Sequence, residues 1–334
     1  MIALCKPDST DLLTRECDAV GLAAVPCAPG LVRITRAPHS RPEAEAARLC
    51  YAIAVLQDEQ AVGVAGGRAL AETAAARFCA SARGHRFEGP WPLVAWRIDT
   101  GETRRDSRIE QAVRERIRKA MSRVARLATD EDPPGQTAHG LALVCDSRGC
   151  GYVATECWFA GQRRMRDDPR APSRSYLKIE EACRVLGAGP QAGETVADLG
   201  AAPGGWSYSA AKRGAQVIAV DHGALKGAAA ADSAIVHVRE DAFLFRPEPG
   251  RSFDWLFCDM VEAPSRILSQ LEKWVTSGWC RRFVVNLKTG HVDPIPIVTA
   301  LKSTDHPLRA ACSRLVCREL YHDREEVTVM GECG

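Results

Sequence analysis

The stretch Thr195–Ser209, TVADLGAAPGGWSYS, constrains this chain more than any other. Thr195–Leu199 is a short apolar run of the kind that forms a buried strand. It stops at Gly200, and the chain turns through Ala201-Ala202-Pro203-Gly204-Gly205 before a helical pattern begins at Trp206. Glycine lets backbone approach a ligand closely, and a helix that starts there directs unpaired N–H groups toward it. A strand, a glycine-rich turn and a helix in that order predict a nucleotide site. The spacing G-x-G-x-x-G is absent, which argues against a dinucleotide enzyme. The next apolar run, Gln216–Val220, ends in Asp221, about 20 residues past Gly200, where an acid can hold ribose hydroxyls.

Downstream of Ser175 the pattern keeps a regular beat. Ser175–Leu186 reads as a helix, followed by strands at Thr195–Leu199 and Gln216–Val220 with a helix from Trp206 to Arg213 between them. Strands follow at Ala234–Val238, Phe253–Cys258 and Phe283–Leu287, with a helix over Pro264–Val275, and Leu315–Leu320 and Glu326–Met330 supply two more. Alternation of this kind predicts a Rossmann-like α/β fold, a doubly wound and mainly parallel sheet. Ligands in such sheets sit beyond the carboxyl ends of the strands. Gly200, Asp221, Asp241, Asp259 and Lys288 all fall at those ends, and the nucleoside is read as S-adenosylmethionine.

Transfer of a methyl group from a sulfonium to a ribose hydroxyl would need an aligned acceptor and a base for its proton. A lysine serves if burial or a second cation depresses its pKa. Lys288 at a strand end and Lys178 at the head of the preceding helix are the candidates, with Asp259 and a glutamate of the last strand as orienting groups. Plainer roles exist for each: a surface lysine, a cap for the helix at Pro264, charges on an exposed strand end.

The upstream half is expected to begin strand, helix, strand, from Ile2–Cys5, about Ser9–Val20 and Leu31–Ile34. Signals are weak from Pro42 to about Leu70. Leu93–Ile98 reads as a strand ending in the turn Asp99-Thr100-Gly101. A helix follows, with Ser107 and Glu110 fitting a capping box and Ile109, Val113, Ile117, Met121, Val124 and Leu127 or Ala128 lining one stripe. Its other faces are basic: between Arg104 and Arg126 nine cations stand against Asp106, Glu110 and Glu115. Such lopsidedness suits a surface that tracks phosphates, although a solvated face has the same look. Leu141–Cys145 and Tyr152–Trp158 flank Asp146-Ser147-Arg148-Gly149 as a hairpin. The irregular, arginine-rich 161–174 is expected to be a linker, between an N-terminal region at 1–160 and a catalytic domain at 175–334.

Charge is nearly balanced at +2, so the whole chain does not announce a polyanion partner. The fourteen cysteines form no C-x-x-C; Cys145 and Cys150, and Cys312 and Cys317, are each separated by four residues. A zinc or other metal site is therefore not expected. The start MIALCKPDST has no secretory pattern, and no apolar run is long enough to span a bilayer, so the expectation is a cytoplasmic protein with reduced thiols and no membrane partner.

The runs APSRSYLKIEE (Ala171–Glu181), DLGAAPGGWSY (Asp198–Tyr208), REDAF (Arg239–Phe243), CDMVEAP (Cys258–Pro264), NLK (Asn286–Lys288) and LYHDREEVTV (Leu320–Val329) together resemble the RlmM family of bacterial ribosomal RNA large-subunit ribose methyltransferases. The resemblance implies S-adenosylmethionine as cofactor and methylation of the 2′-hydroxyl of a cytidine in 23S RNA, in the peptidyl-transferase region, before assembly is complete. It implies a Lys-Asp-Lys-Glu tetrad at Lys178, Asp259, Lys288 and Glu326, with Lys288 as proton acceptor. Glu326 is preferred to Glu325 because it directly precedes the apolar strand run. Cofactor contacts implied are Ser175, Gly200, Ala202, Pro203, Gly204, Gly205, Trp206, Asp221, Asp241 and Asp259. The family has Cys at the position of Ala202, where backbone would do the binding. The opening ALCKPDSTDLLTREC (Ala3–Cys17) resembles the start of that family's RNA-binding region, a ferredoxin-like fold with a THUMP domain. Rival readings are the same chemistry on a transfer RNA or another ribosomal site, an inactive RNA-binding protein on this fold, and a nicotinamide dehydrogenase.

Overall fold

A computed structural model describes residues 1–35, 48–63, 66–146 and 150–334. The chain forms two compact units, Met1–Gly161 and Gln162–Gly334.

The N-terminal unit is built on strands β1 (Ile2–Leu4), β2 (Ala23–Ala28), β3 (Leu31–Thr35), β4 (Ala54–Leu56), β5 (Gln60–Gly63), β6 (Trp91–Asp99), β7 (Glu102–Arg105), β8 (Ala128–Thr129), β9 (Gln136–Asp146) and β10 (Cys150–Phe159). Their order is β2-β3-β1-β4-β10-β9-β6-β7, with β5 also on β10 and β8 also on β6. Pairing is antiparallel except at β6, which runs parallel to β9 and β8. A 3-10 turn (Pro7–Ser9) and helix α1 (Thr10–Ala19) follow β1, while α2 (Gly67–Ala82), α3 (Ser107–Ala120) and the single turn α4 (Ser122–Ala125) supply the remaining helices of this unit among the described residues. Phe78 of α2 and Ile109, Val113 and Ile117 of α3 are buried in one core with Trp91, Leu93 and Leu143. The expected hairpin of 141–158 is β9–β10, and residues 147–149 of its turn lie outside the described residues, as do 42–47 and 64–65 of the weakly patterned stretch.

The capping box is not formed. Asp106, not Ser107, caps α3: its Oδ1 accepts the Ile109 N–H at 3.2 Å, and its Oδ2 takes Arg97 Nε at 2.8 Å. An aspartate caps as well as a serine, and Glu110 is committed elsewhere, accepting the Ala95 N–H and Arg105 Nε, each at 2.9 Å. The helix also stops at Ala120, short of the full basic stretch. Arg108, Arg118, Lys119, Arg123 and Arg126 are exposed, whereas Arg114 donates to Ala128 O at 2.6 Å and Arg116 to Ala112 O at 2.9 Å.

The C-terminal unit contains α5 (Tyr176–Leu186), β11 (Thr195–Leu199), α6 (Gly205–Lys212), β12 (Gln216–Val220), α7 (Gly227–Ala231), β13 (Ile235–Val238), β14 (Phe253–Cys258), α8 (Pro264–Thr276), β15 (Cys280–Lys288), α9 (Pro294–Ala300), α10 (Pro307–Ala311), β16 (Cys312–Arg318) and β17 (Glu326–Cys333). Strand order is β13-β12-β11-β14-β15-β17-β16. The first five are parallel, and β17 runs antiparallel between β15 and β16. Succession reverses at β11 and β14, which opens a crevice at their carboxyl ends. Trp255, Phe257, Val284 and Met330 are among the residues of the core that rigidifies this edge.

Residues 162–174 are not a free linker. The Arg163 N–H donates to Glu181 at 3.0 Å, the Met165 N–H to His322 Nε2 at 2.9 Å, and Asp168 accepts from Tyr208 at 2.9 Å and Lys212 at 2.7 Å. The segment lacks regular structure because its backbone bonds go to side chains of this unit rather than to a ladder.

Candidate active site

The glycine turn is set by close packing. Gly200 has φ +74° and Gly204 φ +105°, both in the left-handed region that a side chain resists. A Cβ at Gly204 would stand 2.5 Å from Ala229 Cβ. The Gly200 N–H donates to Val220 O at 2.9 Å, the Ala202 N–H to Asp221 Oδ2 at 2.9 Å, and Pro203 O accepts the Lys226 N–H at 3.0 Å. Gly205 then opens α6, and a Cβ there would lie 2.5 Å from Ser173 Oγ and 2.9 Å from Ser175 Oγ. Those two hydroxyls are 2.8 Å apart.

Trp206 departs from its expected role as far as its side chain is concerned. It is 3% exposed, stacks edge-on to Phe257, and spends its indole N–H on Ser175 O at 2.9 Å. Its side chain thus belongs to the core rather than to an open surface.

Three acids stand at or just past the carboxyl ends of parallel strands. Asp221 follows β12 and also accepts the Gly223 N–H, at 2.7 Å through Oδ1, leaving a lone pair on each oxygen. Asp241 lies three residues beyond β13 and accepts the Phe243 N–H at 2.9 Å. Asp259 follows β14 directly. Beneath the turn Asp198, wholly buried, accepts from Ser207 Oγ at 2.6 Å. Desolvation, helped by the charges of Asp259 and Asp221, lifts its carboxyl to about 7.

Beside Asp259 two lysines and two carboxylates close a ring of alternating charge. Lys288 ends β15 and Glu326 begins β17, directly opposed across the antiparallel ladder. Lys288 Nζ donates to Asp259 Oδ1, to Glu326 Oε2 at 2.5 Å and to Asn286 Oδ1 at 2.9 Å. Lys178, in the first turn of α5, reaches the other oxygen of Glu326 and lies 3.6 Å from Asp259 Oδ1. All four side chains are between 9% and 23% exposed, so the ring is shielded yet open to the crevice. Glu325 beside them is exposed.

The ring overturns one expectation. Burial by itself pushes the Lys288 ammonium toward neutrality, but the charges and hydrogen bonds of Asp259 and Glu326 outweigh it, and the pKa lies above the ordinary lysine value. Lys178 shares the same carboxylates rather than confronting Lys288 alone. Burial raises the Glu326 carboxyl, and the two lysines pull it back below the ordinary value.

Two further residues belong to this arrangement. Asn286, fully buried, gives its Nδ2 to Asp323 Oδ1 and Thr328 Oγ1, both at 3.1 Å, which turns its Oδ1 to Lys288. Asp323 in turn accepts from the Leu320 N–H and Thr328 Oγ1, each at 2.9 Å. The signal in the sequence was a polar residue two before Lys288 in an apolar strand, hence on the same face. Among the described residues no group of His, Cys, Asp or Glu is disposed to hold a metal ion, and no helix is long and apolar enough to cross a membrane.

An FtsJ-like methyltransferase family description matches residues 171–302. A ribosomal RNA large subunit methyltransferase M of Actinobacillus pleuropneumoniae serotype 3 (strain JL03) is 38% identical over 207 residues, 57% of this chain and 57% of that protein. Its namesake in Sodalis glossinidius (strain morsitans) is 35% identical over 253 residues, 69% and 66% of the two chains. The match thus spans between about half and two-thirds of these relatives. The crystal structure of TrmN from Thermus thermophilus aligns over 100% of this chain and 99% of its own at 17% identity, with a TM-score of 0.35. By its sequence matches, the chain belongs to the ribosomal RNA large subunit methyltransferase M family.

Proposed function

We propose that this chain transfers a methyl group from S-adenosylmethionine to the ribose 2′-hydroxyl of a cytidine in 23S ribosomal RNA. The observation that carries the reading is the ring of Lys178, Glu326, Lys288 and Asp259 beside the carboxyl ends of β14 and β15, in the same unit as a glycine turn at the end of β11. The donor set suits a nucleoside sulfonium. Asp221 keeps acceptor capacity for vicinal ribose hydroxyls, and Gly204 and Gly205 bring backbone rather than side chain to the ligand. When bound, the cofactor supplies an activated methyl that needs only an aligned, deprotonated acceptor.

Lys288 acts as the base. It rests as an ammonium, and the fraction present as amine rises with pH. Asp259 and Glu326 aim Nζ and hold its charge after it takes the hydroxyl proton, while Lys178 keeps Glu326 ionised and fixed. Ser175, Ala202, Pro203 and Asp241 complete the cofactor contacts. The N-terminal unit captures the RNA as a ferredoxin-like and THUMP-type region, with the exposed cations of α3 and the following turn on phosphates. A cytidine presents its sugar most readily when unstacked, which favours unassembled or partly assembled RNA.

Transfer of radiolabelled methyl to naked 23S RNA, followed by mapping of the modified nucleotide, tests the reading. A label on a base, or on transfer RNA alone, overturns the substrate assignment. Absence of any transfer, with unaltered RNA binding in K288A, favours an inactive RNA-binding protein. A thermal shift by dinucleotides but not by S-adenosylmethionine would turn the reading to a dehydrogenase.

A further inference from the structure

Most buried cysteines fill apolar space one at a time, but the far end of the C-terminal sheet gathers three. Cys280 opens β15, Cys312 opens β16, and Cys333 closes β17, the strand that runs between them. This is the opposite end of β15 and β17 from Lys288 and Glu326.

Cys312 and Cys333 are directly opposed in the β16–β17 ladder. The Gly334 N–H donates to Ala311 O at 3.0 Å, just outside them. That bond makes theirs a non-hydrogen-bonded position, where opposed Cα atoms approach to about 4.5 Å and side chains are nearest. Disulfides span Cα separations of about 4.4–6.8 Å, so the bridge can close with little movement of backbone. The Cys333 thiol is electrostatically linked to both Cys312 and Cys280. Cys312 and Cys333 are half-buried, whereas Cys280 is 2% exposed, and all three are free thiols.

We propose that Cys312 and Cys333 form an oxidant-responsive thiol site, in which Cys333 reacts with a hydroperoxide and Cys312 resolves the product into a disulfide across the sheet edge. The Cys333 sulfur attacks one peroxide oxygen, the O–O bond breaks, and with hydrogen peroxide one water leaves behind a sulfenic acid. The Cys312 sulfur then attacks that sulfenic sulfur, the S–O bond breaks, and a second water departs with the Cys312 proton. Two electrons pass from the two sulfurs to the peroxide.

The neighbours favour Cys333 as the attacking group. Cys280 and Cys312 lower the Cys333 thiol below the ordinary value, and their own thiols are raised in turn. The thiolate is the reactive form. Cys280 stabilises the thiolate from the buried side without lying opposite it in the ladder.

The experiment uses the full-length, reduced chain. It is treated with graded hydrogen peroxide, blocked with N-ethylmaleimide at low pH and digested with trypsin. Cleavage after Arg309, Arg314 and Arg324 places the two cysteines in peptides 310–314 and 325–334. These should appear cross-linked, reversibly by dithiothreitol, at about one-tenth of the peroxide that oxidises the buried Cys183 or Cys258, the thiolate being the faster nucleophile. The unfolding midpoint should rise by about 5 °C on closing this loop. C312S should leave a sulfenic acid on Cys333, trapped by dimedone, and C280S should retain the bridge. Oxidation of other cysteines before this pair, or a bridge that C312S leaves in place, overturns the proposal. The wild-type peptide map decides it even where a variant fails to fold. Nothing in it depends on methyl transfer, so either reading can fail alone.

Discussion

Glu326 Oε2 accepts a hydrogen bond from Lys288 Nζ at 2.5 Å, and the two residues are register partners on adjacent antiparallel strands. A one-residue slip of either strand would turn its side chain to the opposite face of the sheet and part the pair. The ammonium is therefore held by backbone pairing as well as by charge.

The pH dependence of turnover follows from that hold. Lys288 stays protonated to higher pH than a free lysine, so below its pKa the amine fraction grows about tenfold per pH unit. Single-turnover methyl transfer should climb across pH 7–9 without levelling. In E326Q one carboxylate is gone, the lysine pKa falls, and the rising limb should move toward lower pH while the plateau drops. A profile that is flat above neutral pH in the wild-type chain would remove Lys288 as the base.

Replacing Lys288 by methionine should lower the single-turnover rate by about 10³-fold, within the usual range for loss of a general base. Affinity for S-adenosylmethionine should change by less than about threefold, since the uncharged side chain keeps most of its bulk. Calorimetry for binding and rapid quench for rate separate the two.

Asn286 is a positioning residue. N286A leaves Lys288 with two partners and takes one hydrogen bond each from Asp323 and Thr328 beside a cavity. Burying unsatisfied groups costs about 1–3 kcal/mol, which urea unfolding will read. The rate should fall by about 10–100-fold with KM for RNA unchanged, an expectation for a base whose aim is loosened.

G204A tests the turn. An alanine at φ +105° is strained, and its methyl would stand 2.5 Å from Ala229 Cβ. Backbone strain of this kind costs about 1–2 kcal/mol before the clash is counted. Cofactor affinity should fall at least tenfold, and the unfolding midpoint should drop with it.

Asp198 gives a stability test. Its carboxyl titrates near 7 in the folded chain against an ordinary value of 3.8, so the folded state binds the extra proton. Stability from this group is full below the ordinary value and declines as pH rises toward 7, by up to about 4 kcal/mol. D198N, whose amide oxygen can still accept from Ser207, should show a smaller loss between pH 5 and 8 in urea titrations. An unchanged slope would mean that the buried carboxyl is ionised throughout.

The parallel sheet was legible because its strands are covered on both faces and read as nearly continuous apolar runs. Thr195–Leu199, Gln216–Val220 and Phe253–Cys258 have the bounds expected of them. The N-terminal sheet was harder. β2 carries Pro26 and is largely exposed, β7 is Glu-Thr-Arg-Arg, and β4 is only the last three residues of the apolar run Cys50–Leu56, so none announces its bounds. Asp221, Asp259 and Lys288 are legible in the sequence because they end the runs of the parallel strands. The direction of the Lys288 shift was not readable. It depends on carboxylate distances of a few ångströms, whereas sequence offers only the presence of a second cation.

Glu181 in α5 accepts backbone N–H groups from Arg163 at 3.0 Å, Tyr321 at 2.7 Å and His322 at 3.1 Å. One carboxylate thereby knots the beginning of the C-terminal unit to the segment that delivers Glu326. A truncation beginning at Ser175 would strip away Arg163 and loosen the hairpin entrance more than 140 positions downstream. A truncation beginning at Gln162 retains the knot, so the two endpoints differ in much more than length.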